Sequence, residues 1–143
     1  MAKIQLKFPD FPHFSMSQKV GIQDVNYRKH LAHDKLVSLL HNARAAFLAS
    51  IGISEVEQGS EGYILADLQI VYINEAFYED RLIFDIAVSE ISGRSCQMHY
   101  QVRKCSEKSG VSTMIARAKT SVVFFNYETK KAIAAPTNLM NLS

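Results

Sequence analysis

One helical pattern followed by four strand patterns constrains the fold more than any other feature of the sequence. From about Asp34 to Ser50, apolar residues recur at the i, i+3, i+4, i+7 spacing of a helix that buries one face. Gly52 stands where a glycine commonly ends a helix. The apolar face comprises Leu36, Leu39, Leu40, Ala43, Phe47 and Leu48. The pattern therefore predicts one long helix.

The chain after this helix has strand patterns. Residues 63–73 are almost continuously apolar apart from Asp67 and Gln69, which predicts a central strand. Residues 81–91 and 96–104 alternate between apolar and polar, and residues 115–125 are rich in β-branched side chains. A shorter first strand is predicted within residues 17–24. One helix and a run of antiparallel strands indicate an α+β domain, with the helix covering one face of a curved sheet of about five strands.

Length and composition favour a single domain that works without nucleic acid or a membrane. The chain has 143 residues, which we divide into an arm, 1–16, and one domain, 17–143. A net charge of +2 is too small to indicate binding to nucleic acid. No apolar run approaches the roughly 20 residues of a membrane span, and the N-terminus does not resemble a secretion signal. Cys96 and Cys105 lie too far apart along one strand for a disulfide, so we expect free thiols and a cytoplasmic protein.

A polar segment from Gln23 to Arg44 leads into the helix and carries the candidate chemistry. Asp34 is a candidate N-cap or first-turn residue, because a carboxylate can accept from the free N–H groups of a helix start. His30, His33 and Asp34 also form the pattern H-x-x-H-D. A zinc site needs three or four ligands in tetrahedral geometry, and this spacing is generic, so we expect no metal.

The same segment resembles the signature of a known family. The 4-hydroxybenzoyl-CoA thioesterase-like acyl-CoA thioesterases carry D-x-D-x-x-x-H-V-N-N-x-x-Y, followed by E-x-A-R on a helix. Without gaps, this signature matches Asp24, Asn26, the segment HLAH at 30–33, Leu36 and the segment HNAR at 41–44. Later segments are similar as well, in the order "IVY", "DRL", "SGRS" and a closing strand that leads into a proline. The resemblance covers about residues 17–136.

This resemblance implies a hotdog fold and an acyl-CoA thioesterase that needs no cofactor, with the CoA thioester as its substrate. It also implies a homodimer or homotetramer in which two subunits share each active site. The backbone N–H near His33 would stabilise the oxyanion, while Asn26 and His30 would orient the thioester and water. Arg94, Ser95, Arg117 and Lys119 stand where members of the family contact the CoA phosphates.

The sequence departs from the family where the chemistry needs a carboxylate. Asn26 replaces the second acid of D-x-D, and a neutral amide is neither a general base nor a nucleophile that forms an anhydride. His41 replaces the helix glutamate. Asp67 interrupts an apolar strand, where burial would require a partner, and it could supply the missing base across a subunit interface. We therefore expect Asp67 or Asp34 to be the base.

Two other functions fit the same pattern. Hotdog enoyl-CoA hydratases resemble D-x-N-P-x-H, to which Asp24, Asn26 and His30 correspond, although the proline is absent and the histidine comes one residue later. The altered carboxylate positions also fit a non-catalytic acyl-CoA-binding protein.

Overall fold

The computed structural model describes residues 4–53, 61–105 and 110–142. In these ranges a long helix packs against an antiparallel sheet. The elements are β1 (Phe14–Lys19), a 3-10 turn (Ile22–Asp24), α1 (His33–Ser50), β2 (Glu61–Tyr72), β3 (Arg81–Ser92), β4 (Ser95–Cys105), β5 (Ser112–Asn126), β6 (Lys131–Ala132) and α2 (Thr137–Met140). The order in the sheet is β1-β3-β4-β5-β2, and the short β6 pairs with β5.

The core lies between α1 and the three middle strands. Alternate residues of β4 and β5 are buried, as expected for strands with one face against a helix, whereas β3 is buried on both faces from Phe84 to Val88. All six predicted apolar positions of α1 are buried as well. Gly52 follows the helix with a φ of +87°, a conformation that glycine adopts without a steric penalty. The predicted α+β fold is confirmed, with one long helix against an antiparallel sheet of four long strands, the shorter β1 and the two-residue β6.

Two strand predictions were wrong in part. Strand β2 is an edge strand of the described sheet, because β5 is its one neighbour, whereas its apolar sequence predicted a central strand. The first strand begins at Phe14 and ends at Lys19, earlier than predicted. The segment that follows forms a 3-10 turn because the Asp24 carboxylate accepts from the Gly21 N–H at 2.9 Å, which closes the backbone locally.

The N-terminal arm, residues 4–13, lies on the face of the sheet that is turned away from α1. The imidazole Nδ1 of His13 accepts from the Val88 N–H at 2.9 Å, which fixes the arm beside β3. Beneath the arm, the Asp85 carboxylate is only 2% exposed. Burial raises its pKa, but hydrogen bonds from Arg103, Ser15 and Gln101 outweigh burial and leave the pKa below its ordinary value. The arm therefore covers a carboxylate that stays ionised.

The two cysteines are free, as predicted. Cys96 is buried, which raises the pKa of its thiol to about 12, while Cys105 is exposed at the end of β4. Among the described residues, no helix has the length and apolar character needed to cross a membrane.

Candidate active site

The loop between the 3-10 turn and α1 folds back on itself and fixes the orientation of Asn26. The Asn26 N–H donates to the His30 carbonyl at 2.9 Å. Its side-chain oxygen accepts from the N–H groups of Arg28, at 3.0 Å, and His30, at 3.3 Å. Because two donors face the oxygen, the other end of the amide must be the NH₂ group, which has no acceptor among the described residues. Asn26 therefore presents a hydrogen-bond donor.

A second loop, residues 73–80, holds a carboxylate beside His30. Backbone hydrogen bonds join the two loops, from the Leu31 N–H to the Ala76 carbonyl and from the Tyr78 N–H to the Lys29 carbonyl, at 2.8 and 2.9 Å. The Glu75 carboxylate lies 3.3 Å from Nδ1 of His30. The loops thus form a histidine–carboxylate pair, in which the carboxylate can orient the imidazole and stabilise its protonated form.

The start of α1 lies in the same region and is not capped by a side chain. Its N-cap residue is Ala32, and Asp34 lies in the first turn, which is the second of the two positions predicted for it. The His33 ring stacks on the Tyr72 ring with centroids 4.2 Å apart, and the Tyr72 hydroxyl donates to the His33 carbonyl. Burial and then the nearby Asp34 carboxylate raise the pKa of Tyr72, so its hydroxyl stays a donor at neutral pH. The free N–H groups and the helix dipole favour negative charge at this end of α1.

These groups surround a cleft of about 360 Å³. The predicted site residues Asn26, His30 and His33 all line it, so the structure brings these three together. Its other residues are Leu31, Ala32, Leu36, Tyr72, Ile73, Asn74, Glu75, Ala76 and Ile115. A donor, a helix N-terminus and a histidine–carboxylate pair next to apolar side chains can polarise a carbonyl group and activate water.

A family model described as the thioesterase-like superfamily matches residues 20–142. The chain belongs to the thioesterase-like superfamily. A search of curated proteins gives no match for this superfamily member.

Solved structures of several thioesterases are similar to this thioesterase-like chain. A mutant 4-hydroxybenzoyl-CoA thioesterase complexed with 4-hydroxybenzoyl-CoA has a TM-score of 0.79 and 19% identity, covering 90% of this chain and 96% of that one. The 1,4-dihydroxy-2-naphthoyl-CoA thioesterase from Synechocystis has a TM-score of 0.76 and 19% identity, over 90% and 93% of the two chains. A Staphylococcus aureus protein in complex with CoA has a TM-score of 0.80 and 14% identity, over 95% and 85%. At these identities the likeness shows the fold, which is the hotdog fold.

Asp67 lies outside the cleft of this thioesterase-like domain. It is exposed on the edge strand, so the expectation of a buried carboxylate was wrong. It follows a β-bulge and accepts from the Ser121 N–H and hydroxyl at 3.0 and 2.9 Å. Tyr72 is five residue steps further along the strand, about 17 Å when extended, so Asp67 cannot act in the cleft of its own subunit. Its predicted role in the cleft of a second subunit stays a prediction.

The residues predicted to contact CoA form two groups. Arg94 and Ser95 lie at the β3–β4 turn, where Ser95 is opposite Val123. Arg117 and Lys119 lie further along β5, where Arg117 is opposite Gln101. Gln101 is six residue steps along β4 from Ser95, about 20 Å, so one diphosphate cannot contact both Ser95 and Arg117.

Sequence reasoning missed Glu75, Tyr72 and Asn74 as cleft residues. They follow one another closely at and beyond the end of β2, more than 40 residues after Asn26. The sequence did show that polar residues directly follow a long apolar strand, which could have indicated a site. It did not indicate which other loop these residues would contact. No group of three or more His, Cys, Asp or Glu residues within the described ranges is arranged to hold a metal ion.

Proposed function

We propose that this protein hydrolyses an acyl-CoA thioester to a free acid and CoA, with water as the acyl acceptor. The observation that carries the proposal is the convergence of the Asn26 amide, the uncapped start of α1 and the His30–Glu75 pair in one cleft. Membership of the thioesterase-like superfamily and the CoA ligands of two similar structures support a CoA thioester as substrate.

In this mechanism the thioester oxygen lies between the Asn26 NH₂ group and the first N–H groups of α1. Both are donors held in place before the substrate arrives, which is the arrangement that stabilises an oxyanion. Asn26 therefore has the role of a donor, and a carboxylate at this position is not required for it.

His30 is the general base. It takes a proton from water as the water oxygen attacks the carbonyl carbon, and Glu75 stabilises the resulting imidazolium. The tetrahedral intermediate then breaks its carbon–sulfur bond, and the departing thiolate receives the proton from His30. We prefer Glu75 to Asp34 and Asp67 as the carboxylate of the reaction, because Glu75 is the cleft-lining carboxylate among the described residues.

We also propose that a second copy of the chain pairs along β2. The edge strand has twelve residues, and its side chains Ile64, Leu65 and Leu68 are each about 40% exposed. A long apolar edge strand favours pairing with another strand, which would bury these side chains and satisfy its backbone groups. Such a dimer would bring Arg94 and Ser95 of each subunit toward the other subunit, and there they would contact CoA.

A panel of acyl-CoA esters with short, long and aromatic acyl groups tests the reaction. We expect hydrolysis of at least one ester, and at least roughly a 100-fold loss of kcat in His30→Gln, as for removal of a general base. Binding of esters with no turnover of any of them would favour a non-catalytic acyl-CoA-binding protein. Hydration of crotonyl-CoA in place of hydrolysis would favour the hydratase.

A further inference from the structure

A second cavity, of about 430 Å³, lies between the N-terminal arm and the end of β2. It is on the opposite side of the sheet from α1, since Arg117 lines it while its neighbours Ala116 and Ala118 are buried in the core. Its walls are mainly apolar and carry two cations. The lining residues are Ile4, Gln5, Leu6, Lys7, Val71, Tyr72, Ile73 and Arg117.

Arg117 is the unusual residue of this cavity. Among the described residues its buried Nε has no hydrogen-bond partner, and its guanidinium donates one hydrogen bond, from Nη1 to the Leu6 carbonyl at 3.4 Å. Arg103 on the adjacent strand shows the contrast, because its guanidinium binds the Asp85 carboxylate at 2.8 Å. A buried donor without an acceptor is unfavourable, and a guanidinium presents its N–H groups in a fork that matches a carboxylate. Arg117 therefore has no carboxylate within ion-pair distance among the described residues, although Asp10 and Asp85 line a neighbouring cavity with it.

We propose that this cavity binds an amphiphilic carboxylate, with its carboxylate on Arg117 and its chain against Ile4, Leu6, Val71 and Ile73. The volume is within the range of small-molecule sites. The anion site follows from Arg117 alone, whereas the choice of a fatty acid rests on the proposed function, because hydrolysis of an acyl-CoA releases such an acid. Tyr72 lines both this cavity and the catalytic cleft, so the bound acid would lie directly behind the site that produces it.

Calorimetric titration with dodecanoate below its micelle concentration tests the site. We expect Arg117→Gln to bind dodecanoate at least about tenfold more weakly than the native protein, the scale of a lost charge-assisted hydrogen bond. Lys119→Gln is the matched control, because it removes the same charge two residues along the same face of β5, and its affinity should be unchanged. Dodecanol should bind more weakly than dodecanoate, since it has no anionic group.

Two further variants distinguish binding in this cavity from binding in the catalytic cleft. Asn26→Ala alters the cleft and should retain the Arg117-dependent binding, while Val71→Trp fills the cavity and should weaken it without changing a charge. Equal affinities of the native protein and Arg117→Gln would overturn the proposal, as would loss of all binding in Asn26→Ala. A selective loss of affinity for free CoA in Arg117→Gln, with dodecanoate unaffected, would also overturn it. Absence of thioester hydrolysis alone leaves the binding result intact.

Discussion

Removing His30 and Glu75 separately and together tests whether the pair acts as one unit. His30→Gln deletes the proposed base, and kcat should fall roughly 100-fold or more. Glu75→Gln keeps the base but removes the charge that stabilises its protonated form. If Glu75 acts through His30, the double variant should be no slower than His30→Gln, because Glu75 then has no imidazolium to stabilise.

The expected effect of Glu75→Gln follows from the geometry. The carboxylate oxygen lies 3.3 Å from Nδ1 of His30, and the Glu75 side chain is 66% exposed, so the dielectric constant of water is appropriate. Coulomb's law then gives about 1.3 kcal/mol for the ion pair, which corresponds to roughly a ninefold loss of rate. Because the pair is exposed, this loss should shrink at high ionic strength.

The assay follows the loss of the thioester absorbance in the ultraviolet, since the exposed Cys105 would react with a thiol reagent. Glu79→Gln is the control, because Glu79 is another exposed carboxylate of the same region, pairs with Lys19 at 3.9 Å and does not line the cleft. The proposed coupling of Glu75 to His30 is refuted if Glu75→Gln lowers kcat by the same factor in the native and His30→Gln backgrounds. It is refuted equally by folded single variants with full activity.

Three further predictions concern the oxyanion, the arm and the edge strand. Asn26→Asp keeps the acceptor of the loop but replaces the NH₂ donor with a negative charge, so kcat should fall roughly 100-fold; retained or increased activity would instead assign this position to a catalytic acid. Asp85→Asn should lower the free energy of unfolding at pH 7 by about 2 kcal/mol, because Arg103 loses its anion. Since the pKa of Asp85 is lower in the folded protein, the stabilisation that ionised Asp85 provides is present above its ordinary pKa of 3.8 and is lost as pH falls through the folded pKa. Thermal unfolding curves of the native protein and Asp85→Asn should therefore converge in acid. A difference in stability that stays constant with pH would contradict this. Leu68→Lys should convert a dimer into a 16.1 kDa monomer by light scattering, while Ile22→Lys, at an exposed apolar residue outside β2, should not; a native monomer at micromolar concentration would contradict pairing along β2.

The sequence predicted the helix more completely than the edge strand. The 3.6-residue spacing identified α1 and its buried face, because one helix face must be apolar to pack against a sheet. The apolar run in β2 did not reveal its position, because the run measures how much apolar surface a strand has and not how many strands pair with it. Asp67 was expected to be buried for the same reason, but it is exposed on the edge strand of the described chain.

The sequence by itself determined the fold class, the helix and the part of the site that lies within one segment. Asn26, His30 and His33 lie within seven positions of one another, so local turn and helix geometry brings them together. Glu75 joins them only because backbone hydrogen bonds link two loops that are distant in the chain, at Leu31 with Ala76 and at Lys29 with Tyr78. Contacts of this kind depend on how the strands are ordered in the sheet, which local spacing does not encode, so only the tertiary structure placed a carboxylate beside the histidine.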